Sequence, residues 1–454
     1  MGTPLSPLLV AETFKYWSYV VKFLGLPLPI LAAALAWNIP ADAQPLSAEQ
    51  ILQQFNAVIV DDFSSTADVE GRTVIGGNMT GGATFALNPT AEAASSFAAL
   101  TVYGNETSGN TFNVDNASGV AIAGSNAGSF NLTDGGNVFV GGTNTGAFNV
   151  TNGSAAVSLA GSNSGQITLN NGGSVTVGAG NSAAVAINGG STASDAISIN
   201  GNNSGYLTLN NGGAVRVNGN AGSGSLNGGN LTYTGSMGGW NLNGGATSSR
   251  VSSLSLPTPG NTLPSFASTF VAPLTALSNQ LAALTPNSSV VTNGNNVTLE
   301  AHPNSSGVAV LALTTSVFAS NDTVSVALNG ASSFIIDLSV AGCTANCSYT
   351  FPNSVNFQNP TSYAGNVLWN VAADVNTLTF TNEFGGTVLA PTTAITNGGP
   401  IDGTLVALRF NGSGELHDYP FDGPLPAPEP SSLTVLAVAL LGTGFLRRRR
   451  RAAL

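Results

Sequence analysis

The sequence predicts an all-β fold, a β-solenoid of about 18-residue coils with one long amphipathic helix packed on its flank. Three observations carry this. From about Thr111 to Leu231 one apolar–polar–apolar unit recurs. Glycine and asparagine separate the units, and one later stretch switches to a helical period. Alternation of this kind means short strands with one buried face. A single coil buries too little by itself, so neighbours must stack at about 4.8 Å.

The repeats define two strand sets. Phe112-Asn113-Val114, Phe130-Asn131-Leu132 and Phe148-Asn149-Val150 are 18 residues apart. Ile167-Thr168-Leu169 follows after 19, Val185-Ala186-Ile187 after 18, and Leu207-Thr208-Leu209 after 22. Between them lie Val120/Ile122, Val138/Val140, Val157/Leu159, Val175/Val177, Ile197/Ile199 and Val215/Val217. Gly and Asn at the corners adopt positive φ at low steric cost. A disordered low-complexity tract does not demand phased Val, Ile and Phe. An antiparallel sandwich is the competing arrangement.

Around Leu263 the period changes. Phe266, Phe270, Leu274, Leu277, Leu281 and Leu284 form one stripe of a helix over about 264–285. Pro273 is expected to kink it and Pro286 to end it. A polar face without Lys or Arg argues for packing on the solenoid and against lying on a membrane. From Asn295 to Phe421 strand patterns return less regularly, as further coils or a small sheet.

The two ends have another character. Lys15 and Lys22 precede an apolar stretch from Phe23 to Trp37, and Ala41-Asp42-Ala43 offers a small-x-small cleavage site. This is the layout of a secretory signal peptide over residues 1–43. At the other end Gly423-Pro-Leu-Pro-Ala-Pro428 forms an extended spacer. Pro428-Glu429-Pro430 is followed by an apolar run from Leu433 to Leu446, then by Arg447, Arg448, Arg449, Arg450 and Arg451. Fourteen helical residues rise about 21 Å, short of the roughly 30 Å hydrocarbon core, so spanning needs Ser431, Ser432 and snorkelling arginines. The arginines should stay cytoplasmic. The arrangement resembles the PEP-CTERM sorting signal of Gram-negative bacteria. That resemblance implies an exosortase-type enzyme as partner and passage through the inner membrane before processing.

Between Gln44 and Pro428 the chain holds nineteen acidic residues, four arginines (Arg72, Arg216, Arg250, Arg409) and no lysine. Such a balance argues against nucleic acid and anionic membranes as partners. It also excludes lysine Schiff-base chemistry. Cys343 and Cys347 have no histidine nearby for a zinc site. A local disulfide is expected after export, contributing about 2 kcal/mol.

Two further blocks carry a family resemblance. One runs from Phe55 through Asp61-Asp62, Asp68, Glu70 and Gly76-Gly77 to Asn78. The other spans Gly385 to Pro391, then Ile401-Asp402-Gly403 through Gly414 and His417 to Phe421. They resemble the opening and closing blocks of the choice-of-anchor A domain over about residues 47–423. The resemblance implies an exported cell-surface or matrix role and brings no enzymatic activity.

Candidate chemistry is sparse. Asp61, Asp62, Asp68 and Glu70 offer oxygen ligands for Ca²⁺ but lack EF-hand spacing, and Glu70 and Arg72 are placed to pair. Asp115 and Asp134 follow successive first strands, yet Asn152 and Asn171 hold the same corner, which reads as turn chemistry. His302 and His417 are solitary in sequence, outside any hydrolase or metalloprotease motif. No cofactor is expected. The outward positions Asn113, Asn131, Asn149, Thr168, Ala186 and Thr208 form a stacked uncharged ladder. It stabilises the coils and offers a flat face to polysaccharide, or less favourably to ice. The expectation is a non-enzymatic structural or adhesive protein of the surface or matrix. Its rival is a polysaccharide-active enzyme, which converging carboxylates in a groove would favour.

Overall fold

The computed structural model describes residues 46–426 except 90, 117–118, 190–194 and 261–262. The expected signal peptide with Ala41 and Ala43 lies outside the described residues. So does the sorting signal, with Pro428, Glu429, Pro430 and Arg447 to Arg451.

The repeats form coils of a parallel β-solenoid. Phe112, Phe130, Phe148, Ile167, Val185 and Leu207 stack in register on one face. Val120, Val138, Val157, Val175, Ile197 and Val215 do so on the other. All twelve side chains are buried, as period-2 alternation requires. Phe112, Phe130 and Phe148 stack face to face at 5.1 and 5.6 Å between centroids, a spacing imposed by the strand repeat. The coils extend past the repeat visible in sequence, from Thr84–Phe85 to Trp240–Asn243 on one face. On the other they reach Thr247–Arg250.

The stacking order is not the chain order. Strand Ala57–Ile59 pairs on one side with Thr73–Ile75 and on the other with residues 405–407. The chain therefore starts in the middle of the stack and climbs coil by coil to Arg250. After the return segment it begins again at the opposite end with Asn296–Glu300 and Val308–Thr314. From there it climbs through Ser333–Ser339, Val367–Val371 and Thr387–Asn397 to Leu405–Gly412, which docks beneath the first coil. Residues 295–421 thus supply further coils. The hairpin Ser289–Asn293 with Asn296–Glu300 is the antiparallel exception.

Two helices cover the outer face of this junction. Helix α1 (Ala48–Gln54) starts with a reciprocal Ser47/Gln50 capping box. Helix α2 (Ala272–Ala282) is preceded by one π-helical turn, Ala267–Val271. That turn absorbs Pro273, which sits in the first turn of α2, so the helix continues where a kink was expected. Phe270, Leu274, Leu277 and Leu281 are buried with Val58 and Val74 of the ascending half and with Ile335, Leu368, Leu389 and Val406 of the other. The stripe read from sequence is the face that packs.

Candidate functional site

The outward ladder has the expected register. Thr84, Asn113, Asn131, Asn149, Thr168, Ala186, Thr208, Ser225 and Asn241 lie opposite one another on successive strands. Asn131 donates through Nδ2 to Asn113 Oδ1 at 3.1 Å, and Asn113 to Thr84 Oγ1 at 3.4 Å. A second column runs beside it, where Asn188 donates to Asn170 Oδ1 and Asn210 to Asn188 Oδ1, both at 3.2 Å. The strands of this face are parallel and in register, and both columns of amides and hydroxyls lie at its surface.

A second asparagine ladder lies inside and was not foreseen. Asn126, Asn144, Asn163, Asn181 and Asn203 are each at most 2% exposed. Each Nδ2 donates to the Oδ1 above, at 2.8, 2.7, 2.7 and 2.6 Å, and Asn203 ends the chain on Ala221 O. Each also donates to the carbonyl two residues on, at 2.7–2.8 Å. The signal was Asn-x-Gly at the coil repeat: Asn126-Ala-Gly128, Asn144-Thr-Gly146, Asn163-Ser-Gly165 and Asn203-Ser-Gly205. The glycine is needed for close approach, since a Cβ at Gly146 would lie 1.8 Å from Gly128 O.

The acidic cluster near the start does not converge on one point. Asp61 pairs with Arg409 at 2.5 Å, and Asp62 Oδ1 accepts from Asn78 N–H. Asp68 Oδ1 accepts from Thr84 N–H, and Glu70 Oε2 from Asp418 N–H. Arg72 pairs with Glu92 rather than with Glu70, because the buried Glu92 side chain lies over the Arg72 backbone and accepts its N–H. Among the described residues no three His, Cys, Asp or Glu side chains are grouped to hold a metal ion.

His417, solitary in sequence, is not so in space. Its strand partner one coil away is Asp402, and Leu416 bridges to Val69, which brings Glu70 alongside. His417 Nδ1 lies 2.5 Å from Asp402 Oδ1 and Nε2 lies 3.1 Å from Glu415 Oε2. The hydrogen bond to Asp402 raises the imidazole to about 9, with burial opposing and Glu415 reinforcing. It is therefore an imidazolium at neutral pH. Asp402 and His417 line a cavity of about 330 Å³ with Glu70, Asn88, Thr361, Glu383, Asp418 and Tyr419. Burial, with Asp402 nearby, pushes the Glu383 carboxyl up, and burial does the same to Asp418.

The remaining candidates are structural. Cys343 and Cys347 are disulfide-bonded. Asp134 and Asn152 turn the corner with φ of 66° and 59°. The equivalent of Asp134 one coil earlier is Asn116, with φ of 61°, so Asp115 lies one position off. His302 is half exposed beside Glu300 at 3.8 Å.

The fold and faces define a class: a parallel β-solenoid, joined in mid-stack where its first described coil meets its last, that displays a regular uncharged surface. Residues 48–418 match the family described as "Putative Ice-binding-like adhesive domain". The chain belongs to that family. A crystal structure of an ice-binding protein from an Antarctic Flavobacteriaceae bacterium is similar at 14% identity over 83% of this chain and 98% of that one, with a TM-score of 0.20. The Caldicellulosiruptor kristjanssonii tapirin C-terminal domain is similar at 12% identity over 84% and 100%, with a TM-score of 0.25. No curated protein matches.

Proposed function

We propose that this chain is an exported, non-enzymatic adhesive protein of the cell surface or exopolysaccharide matrix, which grips polysaccharide through its outward ladder. The observation that carries this is the in-register column from Thr84 to Asn241. Amides and hydroxyls repeating at the strand spacing present donors and acceptors to a regular chain of sugar hydroxyls without any charge to desolvate. The adhesive family supports the same reading. Sorting would follow the PEP-CTERM-like tail through an exosortase, and the choice-of-anchor A resemblance fits an exported role. Among the described residues no helix is long and apolar enough to cross a membrane, so any transient anchoring rests on residues 431–454.

The enzyme reading has the carboxylate-lined cavity in its favour. Against it, His417 is an imidazolium held by Asp402 and Glu415, so it is not a free base. The ice reading has the family description behind it, but Ala186 and the mixed Asn, Thr and Ser column interrupt a threonine face. The test is binding of the full chain to matrix polysaccharides, with Asn131→Asp/Asn149→Asp alongside. Charge placed on the ladder should weaken binding about tenfold or more. Unchanged binding by the double variant would remove the ladder from the mechanism. Thermal hysteresis would move the reading to ice.

A further inference from the structure

The outward ladder is one rail of a pair. Thr133, Thr151, Asn170, Asn188 and Asn210 follow the strands of that face, and each donates its backbone N–H to the carbonyl one coil below at 2.8–3.0 Å. This carries the pairing one residue further and sets the five side chains in a column two residues beyond the first. Two residues of strand are about 6.5–7 Å, against about 4.8 Å from coil to coil. Asn170 Nδ2 lies 3.5 Å from Asn149 Oδ1 and ties the rails together. Between them Leu132, Val150, Leu169, Ile187 and Leu209 turn inward and are buried, so the floor is backbone. None of the five residues of the second rail is buried and none is charged, in a chain whose net charge is −11.

The strands of this face hold two to five residues, about 17 Å at most. Nine of them stack, over about 38 Å. A long ligand therefore finds repeating partners along the stack and not along a strand. We infer that the two rails hold one chain of an extended, β-linked, uncharged polysaccharide, laid along the stack axis with about one sugar to a coil. The inference rests on the adhesive reading above and names its ligand class. Equatorial β-linkages make a sugar chain a ribbon whose rise per sugar is close to the strand spacing. Its C–H ring faces rest on the backbone floor, and the hydroxyls along its two edges lie over the two rails. Each Asn amide offers donors and an acceptor, as does each Thr hydroxyl. An α-linked chain coils away from the rails after a few sugars. A uronic acid polymer brings carboxylates to rails that hold no cation to receive them.

Titration calorimetry of the full chain tests this with β-1,4-linked glucose oligomers of two to six units and their α-1,4-linked counterparts. Affinity for the β series should rise about tenfold or more from the dimer to the hexamer, a difference of about 1.4 kcal/mol. Affinity for the α series should stay level with length. Asn170→Asp and Asn188→Asp, both at exposed positions, should each weaken binding of the β hexamer about tenfold. No binding of the β series, an affinity that does not rise with its length, or equal binding of the α series overturns the inference. So does a hexamer that binds both variants as tightly as the unaltered chain. The adhesive reading fails separately, when matrix polysaccharides do not bind at all.

Discussion

Asn163 donates to Gly165 O and to Asn181 Oδ1 and accepts from Asn144 Nδ2 and the Gly165 N–H. All four partners are buried, so removing the amide strands donors and acceptors from which water is excluded. Asn163→Ala should cost about 3 kcal/mol or more, read as a loss in chemical-denaturation stability. Asn131→Ala on the outer ladder should cost under about 1 kcal/mol, because water replaces the lost bond. Similar losses in the two variants would show that the interior ladder is not the stronger clamp. Asn131 and Asn163 are the same residue type and recur at the same coil period. What separates them is position within the coil: Asn131 sits between two apolar strand residues, whereas Asn163 sits at a corner that glycine lets close inward.

Helix α2 shows how an element can be right in type and incomplete in role. Its stripe of Phe270, Leu274, Leu277 and Leu281 was legible from spacing alone. Its partners were not, because Val58, Val74, Leu368, Leu389 and Val406 occupy strand positions that alternation assigns to the outside. These outward apolar residues lie where the helices cover the sheet. Ser278 adds a polar tie, its hydroxyl 2.7 Å from Asn370 Oδ1. Leu274→Ala should lower stability by about 2–5 kcal/mol, the range for a buried leucine truncated in a close-packed site. A change below about 1 kcal/mol in denaturant unfolding would mean that the helix is a detachable cover.

The molecule closes where its first coil meets its last. Asn56 Nδ2 donates to Gly403 O and His417 O, and its Oδ1 accepts from Gly71 N–H, so one buried side chain ties three coils. Thr404 Oγ1 donates to Leu52 O and Phe55 O. Two titrating groups at this closure act in the same direction. Burial raises Glu92 to about 7, with Arg72 opposing, and Asp402 raises His417 to about 9. A group raised in the folded state adds stability below its unfolded pKa and loses it as pH climbs through the folded value. The Glu92 contribution should therefore fade between about 4.5 and 7, and that of His417 between about 6.5 and 9. The melting temperature should decline across both windows. His417→Asn should flatten the upper window alone; a decline that persists there would place its origin elsewhere.

By itself the sequence determined the coils, the helix and the corner chemistry. Alternating Phe, Val and Leu can bury one face only as strands, and Asn or Gly at positive φ turns the chain between them. The blocks Phe55–Asn78 and Gly385–Phe421 stood apart from the repeats, and they are the ones that form the closure. Tertiary structure alone decided that they meet, and hence that Asp402, His417 and Glu70 share one column. Backbone pairing between parallel coils is indifferent to separation along the chain. Which coil docks on which is chosen by the whole molecule, through the returning helix and the buried residues at the seam.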